Sequence, residues 1–349
     1  MNKIILFLIS LACLLFFQGC TKQSSEGPDL ESFFGEFYII DSLSLDNYIP
    51  NFEMGESVGF SAEFSTIVDW KISITGLSSG SKKEILGESI EINPEQILWS
   101  GETSSLPFFD IEECVVELTF PDYQDVVIID SLQIEGLKVY EGIMITDFED
   151  GIPANSCSWR QEGGSMTFDL GYDNALEGQA YYKMGGIVGW DWVLGALDIP
   201  LNLNDVTTNA NDFFLNLGVL SGDANGSYAD NQFINIMISE EQNIPFNDDL
   251  SNNLSDLFES NMEVYQYKIQ PVDWSGWQYF GIPYSDFEEK NAGVPGVIYS
   301  RDPNDITAIR IQCQACPWNA SSACPNNQNI AVRTDVDFII FTENLPVLY

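Results

Sequence analysis

Phe213, Leu215, Leu217 and Val219 alternate with Phe214, Asn216 and Gly218, and this two-residue period recurs through most of the chain. An extended backbone sends successive side chains to opposite faces, so each such run predicts a strand with one face turned to an apolar partner. Met166, Phe168 and Leu170 repeat the pattern, as do Ile234, Ile236 and Ile238, then Tyr265, Tyr267 and Ile269. Earlier in the chain Val58, Phe60, Ala62 and Phe64 show it, followed by Trp70, Ile72 and Ile74, by Cys114, Val116, Leu118 and Phe120, and by the β-branched run from Val126 to Ile134. With 27 Gly and 15 Pro to break these runs, the expected class is all-β. One segment departs from it. Leu250, Leu254, Leu257 and Phe258 have helical spacing and predict a short amphipathic helix over Asp248–Glu259, covering one end of a sandwich.

At 349 residues the chain has room for two cores. Residues 36–140 predict an immunoglobulin-like β-sandwich, with Trp70 in its core and Cys114 as a buried thiol. Residues 143–345 predict a second sandwich of jelly-roll type, with Trp274 and Trp277 as core residues. The joint, Leu137–Gly142, contains no long Pro or Ser run, so the halves are expected to pack closely.

Residues 1–19 carry one basic residue, Lys3, and then an apolar run of signal-peptide length that stops at Gly19-Cys20. This stop resembles a bacterial lipoprotein signal and implies acylation of Cys20. Residues 20–35 then form a polar tether. The expected location is the outer membrane or cell surface, with the membrane touched only through the lipid.

Thirteen basic residues against 53 acidic ones give a formal net charge of −40, which disfavours nucleic acid and anionic lipid and leaves neutral molecules or cations as partners. Histidine is absent, so there is no imidazole for a triad, a general base or a metal site.

Asp147 and Glu149 lie in the first strand region of the second half and Asp337 in the last. First and last strands of a jelly roll often lie side by side, which can bring the three carboxylates to one hard cation. The alternative is that Asp147 and Asp150 merely flank a turn at Gly151. A sugar ring needs an aromatic platform with amides or carboxylates around it, and the candidates are Trp190 and Trp192 in a glycine-rich stretch, with Trp159 and Trp318 in polar, turn-rich segments. Core residues at a glycine-rich bend are the other reading of Trp190 and Trp192. Cys157, Cys313, Cys316 and Cys324 allow three pairings. An exported chain favours disulfides over zinc or redox chemistry, with Cys316–Cys324 as the local pair and Cys157 left for Cys313.

Four motifs together resemble the β-jelly-roll, galactose-binding-like carbohydrate-binding modules. They are Glu149-Asp150-Gly151, Ala175-x-Glu177-Gly178-x-x-Tyr181, Trp277-x-x-Phe280-x-Ile282-Pro283-Tyr284-x-x-Phe287 and Val336-Asp337-Phe338. With the lipoprotein signal and the spacer domain in front, the chain resembles the surface glycan-binding lipoproteins of polysaccharide-degrading Bacteroidota. The resemblance implies non-catalytic binding of a neutral polysaccharide and an outer-membrane glycan transporter complex as partner. It also implies a structural calcium ion at Glu149 and Asp337, with Asp147 nearby. Two alternatives stay open: a glycoside hydrolase using paired carboxylates, and a structural adhesin or secretion accessory without a glycan.

Overall fold

The computed structural model describes residues 36–160, 165–188, 193–222, 232–241, 257–315 and 330–348. Within them the chain is all-β, strands being joined by turns and short 3-10 segments. No helix among the described residues is long and apolar enough to cross a membrane. The helix expected over Asp248–Glu259 falls almost wholly outside these residues, as do Cys20 and the whole of 1–35.

The first half holds β1 (Ile39–Leu45), β2 (Val58–Gly76), β3 (Lys82–Ile92), β4 (Leu98–Trp99), β5 (Glu113–Thr119) and β6 (Val127–Gln133). Their organiser is β2, 19 residues long. It pairs with β1, β3, β4 and β5, so one strand ties together the six-stranded sheet of this half. The alternate residues Phe60, Ala62 and Phe64, then Trp70, Ile72 and Ile74, all point into that core. Trp70 is buried, with its indole N–H donated to Ser89 Oγ at 2.8 Å. Burial, ahead of Glu112 and Glu113, pushes the Cys114 thiol up to about 12, so it is an inert core residue.

The second half starts at β7 (Ile143–Thr146) and continues through β8 (Cys157–Arg160), β9 (Met166–Gly171), β10 (Tyr181–Val188), β11 (Val193–Pro200) and β12 (Phe213–Ser221). Then come β13 (Gln232–Ser239), β14 (Val264–Ile269), β15 (Gly276–Pro283), β16 (Glu288–Glu289), β17 (Ala308–Ala315) and β18 (Ile330–Glu343). They form two six-stranded sheets, one ordered β15-β12-β18-β10-β9 with β7 also on β18, the other β16-β14-β13-β17-β11-β8. The first and last strands of this half pair directly, Ile339 opposite Thr146. Inward residues of both sheets, among them Leu215, Leu217, Val336, Ile236 and Ile311, make one apolar core. Burial of such side chains contributes about 25 cal/mol per Å² and is what holds the sheets face to face.

The halves meet through aromatic rings. Phe108 lies 5.1 Å from Phe338, 5.2 Å from Tyr140 and 5.6 Å from Tyr279, and its N–H donates to the Leu176 carbonyl at 3.0 Å. Trp277 is only half-buried and packs on the margin of this cluster, its indole N–H given to the Asn174 carbonyl at 2.8 Å. Trp274 packs against the main core of the second sandwich.

Candidate functional site

The β8-to-β16 sheet turns one face to the core and the other away from it, and strand register shows what the outward face carries. One row across the strands runs Trp159, Ala196, Gln312, Asn235, Lys268. The next runs Cys157, Asp198, Arg310, Met237, Gln266, Glu288. An indole, seven amides or charged groups and a thioether thus stand side by side, because paired residues share a face and the period of a strand is two.

At the centre Arg310 Nε and Nη2 each donate to Asp198 at 2.6 Å, a bidentate pair in which both residues are buried. The indole N–H of Trp159 reaches the same carboxylate at 3.2 Å. The guanidinium lies 4.4 Å from the ring centre of Phe258 and 5.3 Å from that of Trp159, a cation held between two aromatic rings. In the neighbouring row Asn235 Nδ2 meets Gln312 Oε1 at 3.4 Å, while Asn235 Oδ1 is buried with no hydrogen-bond partner. An orphaned acceptor of this kind costs about 1–3 kcal/mol, and a ligand hydroxyl or water can relieve it. This side of the sheet therefore carries an indole with amide and charged hydrogen-bonding groups; Asn235, Gln312, Asp198 and Arg310 are buried, Trp159 and Gln266 half-buried and Lys268 exposed, and the Arg310 charge is neutralised by Asp198.

Of the four tryptophans expected to stack on a sugar, Trp159 lies on this face, half-buried. Trp190, Trp192 and Trp318 fall outside the described residues, as do Cys316 and Cys324. The expected Cys157–Cys313 disulfide is corrected by register: the two residues are not joined. Cys157 is level with Asp198 and Cys313 with Gly195, an offset of three residues, so their side chains leave opposite faces of the sheet. Cys313 instead lies in the core, accepting a hydrogen bond from Thr334 Oγ1 at 3.1 Å, and burial pushes its thiol up to about 12.

The residues expected to hold a cation converge on a different place, the turn at 174–180 beside the first half. Asp337 accepts from the N–H groups of Leu176 at 2.9 Å and Glu177 at 3.3 Å. Glu149 Oε1 accepts from Gln179 and Ala180, both at 2.7 Å. Gly178, at φ +60°, makes the approach possible, since a Cβ there would stand 2.5 Å from Glu149 Oε1. Asp147 Oδ1 accepts from the Glu149 N–H at 3.1 Å, and the Phe148–Gly151 turn closes with Gly151 at φ +97°. The carboxylates thus bond the turn directly, and among the described residues no group of three or more acidic or cysteine side chains is placed to hold a metal ion. One feature fits a cation nonetheless. Glu177 Oε2 is buried without a partner, and burial, then Asp147, Glu149 and Asp110, push the Glu177 carboxyl up to about 7. Asp337 is pushed well up by its burial as well.

Asn235, Gln312, Asp198, Arg310 and Gln266 escape a reading based on aromatic platforms. Their signal is nevertheless in the sequence: Arg310, Gln312 and Gln314 alternate with Ile309, Ile311 and Cys313 in a strand whose other face is fully apolar. The apolar half of that alternation marks the core, and the polar half marks the opposite side of the sheet.

No protein-family model and no curated protein matches the chain. Among solved structures it is similar to one described as the structural basis for the promiscuous specificity of carbohydrate-binding modules from the β-sandwich superfamily. That likeness has 10% identity and a TM-score of 0.36, covering 89% of this chain and 99% of that one. It is also similar to a family 11 carbohydrate-binding module from Clostridium thermocellum in complex with a β-1,3-1,4-mixed-linked tetrasaccharide, at 18% identity and a TM-score of 0.36, covering 60% and 99%. An exo-β-agarase structure is similar at 12% identity and a TM-score of 0.32 over 58% of this chain and 25% of its own.

Proposed function

We propose that the second sandwich binds a neutral polysaccharide, without cleaving it, on the outward face of the β8-to-β16 sheet. The observation that carries this reading is the pair of cross-strand rows, with Trp159, Gln312 and Asn235 in one and the Asp198–Arg310 pair in the other. Sugar C–H faces stack on an indole, and sugar hydroxyls both donate and accept, which suits amides and the orphaned Asn235 Oδ1. A neutral ligand is favoured because Arg310 is balanced by Asp198, and because the chain's net charge of −40 repels polyanions. Binding without cleavage is favoured because Asp198 is held at both oxygens by Arg310 and is therefore no free acid or nucleophile. Presentation on a cell surface, lipid-anchored at Cys20 and beside a glycan transporter complex, belongs to the same proposal and rests on the signal and tether of the sequence. So does a structural calcium ion at Asp147, Glu149 and Asp337, for which the unpartnered Glu177 Oε2 supplies the open ligand position.

The test is a glycan array and affinity electrophoresis on the full chain and on Trp159→Ala and Gln312→Ala. Binding lost in folded variants supports the proposal. Sugar release from a polysaccharide would favour the hydrolase, and no binding to any glycan would favour an adhesin.

A further inference from the structure

Glu240 is buried where the chain leaves β13, and Glu263 stands where it enters β14. Ser300 lies between them. Its Oγ is 2.8 Å from Glu240 Oε2 and 3.1 Å from Glu263 Oε1, and its N–H donates to Glu263 Oε1 at 2.5 Å. A hydroxyl has one hydrogen and can donate to one of these oxygens only. The other contact, and the direct approach of the two carboxyl groups to each other, is a hydrogen bond only when one carboxyl is protonated. The remaining partners are all donors: Tyr284 Oη gives to Glu240 Oε1 at 2.6 Å and Tyr265 Oη to Glu263 Oε1 at 3.1 Å.

The charges around the pair do not remove that need. Arg301 stacks on the Tyr265 ring at 4.6 Å, but its Nη1 is given to the carbonyls of Tyr284 and Ser285 at 3.0 and 2.9 Å. Glu241 adds a third acid, taking the Glu263 N–H at 3.0 Å, and Glu289 lies opposite Tyr265 on β16. Lys290 Nζ is given to the Phe258 carbonyl at 2.9 Å. Burial of Tyr265 and Tyr284, with Glu240 beside both, pushes the two phenols up, so they stay donors.

We propose that Glu240 and Glu263 share one proton through Ser300, and that losing it unfastens the 291–300 loop and the 257–263 segment, a pH-sensitive catch beside the Arg310 face. The chain of contacts is explicit. Next to Ser300, Tyr299 Oη accepts the Asn291 N–H at 2.7 Å. Asn291 Nδ2 in turn holds the carbonyls of Glu259 at 2.7 Å and Met262 at 2.8 Å, in the segment that lays Phe258 on Arg310. Burial and the nearby Glu263 push Glu240 up to about 7, which places the release at neutral pH. A group raised in the folded state stabilises below its unfolded value and loses that contribution as pH rises through the folded value. The catch is therefore closed in mild acid and open in mild base, whatever binds the face.

The test is hydrogen exchange of the full chain, read by mass spectrometry on peptides spanning 257–263 and 291–300 and corrected for the chemical effect of pH. It is run in a Glu177→Gln background, because Glu177 is raised to a similar range. Exchange of both segments is expected to rise by up to about tenfold per pH unit between the ordinary carboxyl range and about pH 7, to level off above it, and to stay flat in Glu240→Gln and Glu263→Gln. Ser300→Ala, which keeps both acids and removes the bridge, should raise exchange at every pH. An equal rise in the glutamine variants overturns the proposal. So does a flat profile in the parent, which decides the matter even if the variants do not fold.

Discussion

Asp198 and Arg310 face each other across the β11–β17 ladder and join through two hydrogen bonds of 2.6 Å, with Trp159 and Phe258 on either side of the guanidinium. A pair so placed on the outward side of a sheet contributes no apolar burial to the sandwich core. It holds the Trp159 indole by a hydrogen bond and lies against the Phe258 ring instead.

Removing one partner should be costly and removing both much less so. Asp198→Ala leaves an unpaired buried guanidinium and is expected to lose about 3–5 kcal/mol of stability, whereas Asp198→Ala with Arg310→Met should regain most of it. Urea unfolding of both variants measures the difference. A double variant no better than the single would mean the pair itself carries the stability.

Trp159→Ala is expected to weaken glycan binding by about 2 kcal/mol or more with the fold intact, and added salt should change binding little because the ligand carries no charge. Circular dichroism melting beside affinity electrophoresis separates the two effects. Unaltered affinity in a folded Trp159→Ala protein would remove the indole from the site.

Calcium is expected to raise the melting temperature by ~5–10 °C at a hundredfold excess over Kd, since its ligands come together only in the folded state. Glu149→Ala and Asp337→Ala should each abolish the shift, and Asp110→Ala should not. Superimposable melts in calcium and in chelator would show that the carboxylates hold the 174–180 turn alone.

Glu177 titrates in the same window when no cation is present. Its carboxyl is raised to about 7 by burial and by Asp147, Glu149 and Asp110, so its contribution is present below the unfolded carboxyl range and is lost as pH rises through 7. In chelator, Glu177→Gln should match the parent near pH 5 and melt higher near pH 8. Equal melts at both would contradict the burial of Glu177 Oε2.

Peptide mapping without reductant should yield no Cys157–Cys313 cross-link, because the two side chains leave opposite faces of one sheet. Recovery of that cross-linked peptide would require a different register for β11.

Alternation in the sequence determined the class and most of the inward residues, because a strand's period is a local property of an extended backbone and needs no partner to be read. Phe60, Trp70, Leu217 and Ile236 are buried as their spacing predicts. The same spacing brought Glu149 and Asp337 to one turn, since the first and last strands of the second half do pair around β18. What the sequence could not decide is which residues of different strands stand level. Asp198, Arg310, Gln312 and Asn235 are spread over more than a hundred positions, and only cross-strand register makes them neighbours. Register also separated Cys157 from Cys313, where cysteine counting had joined them. The Glu240–Ser300–Glu263 contact has the same origin: three polar residues in unremarkable local contexts become neighbours only when the sheet buries Glu240 beside the half-buried Glu263 and the exposed Ser300.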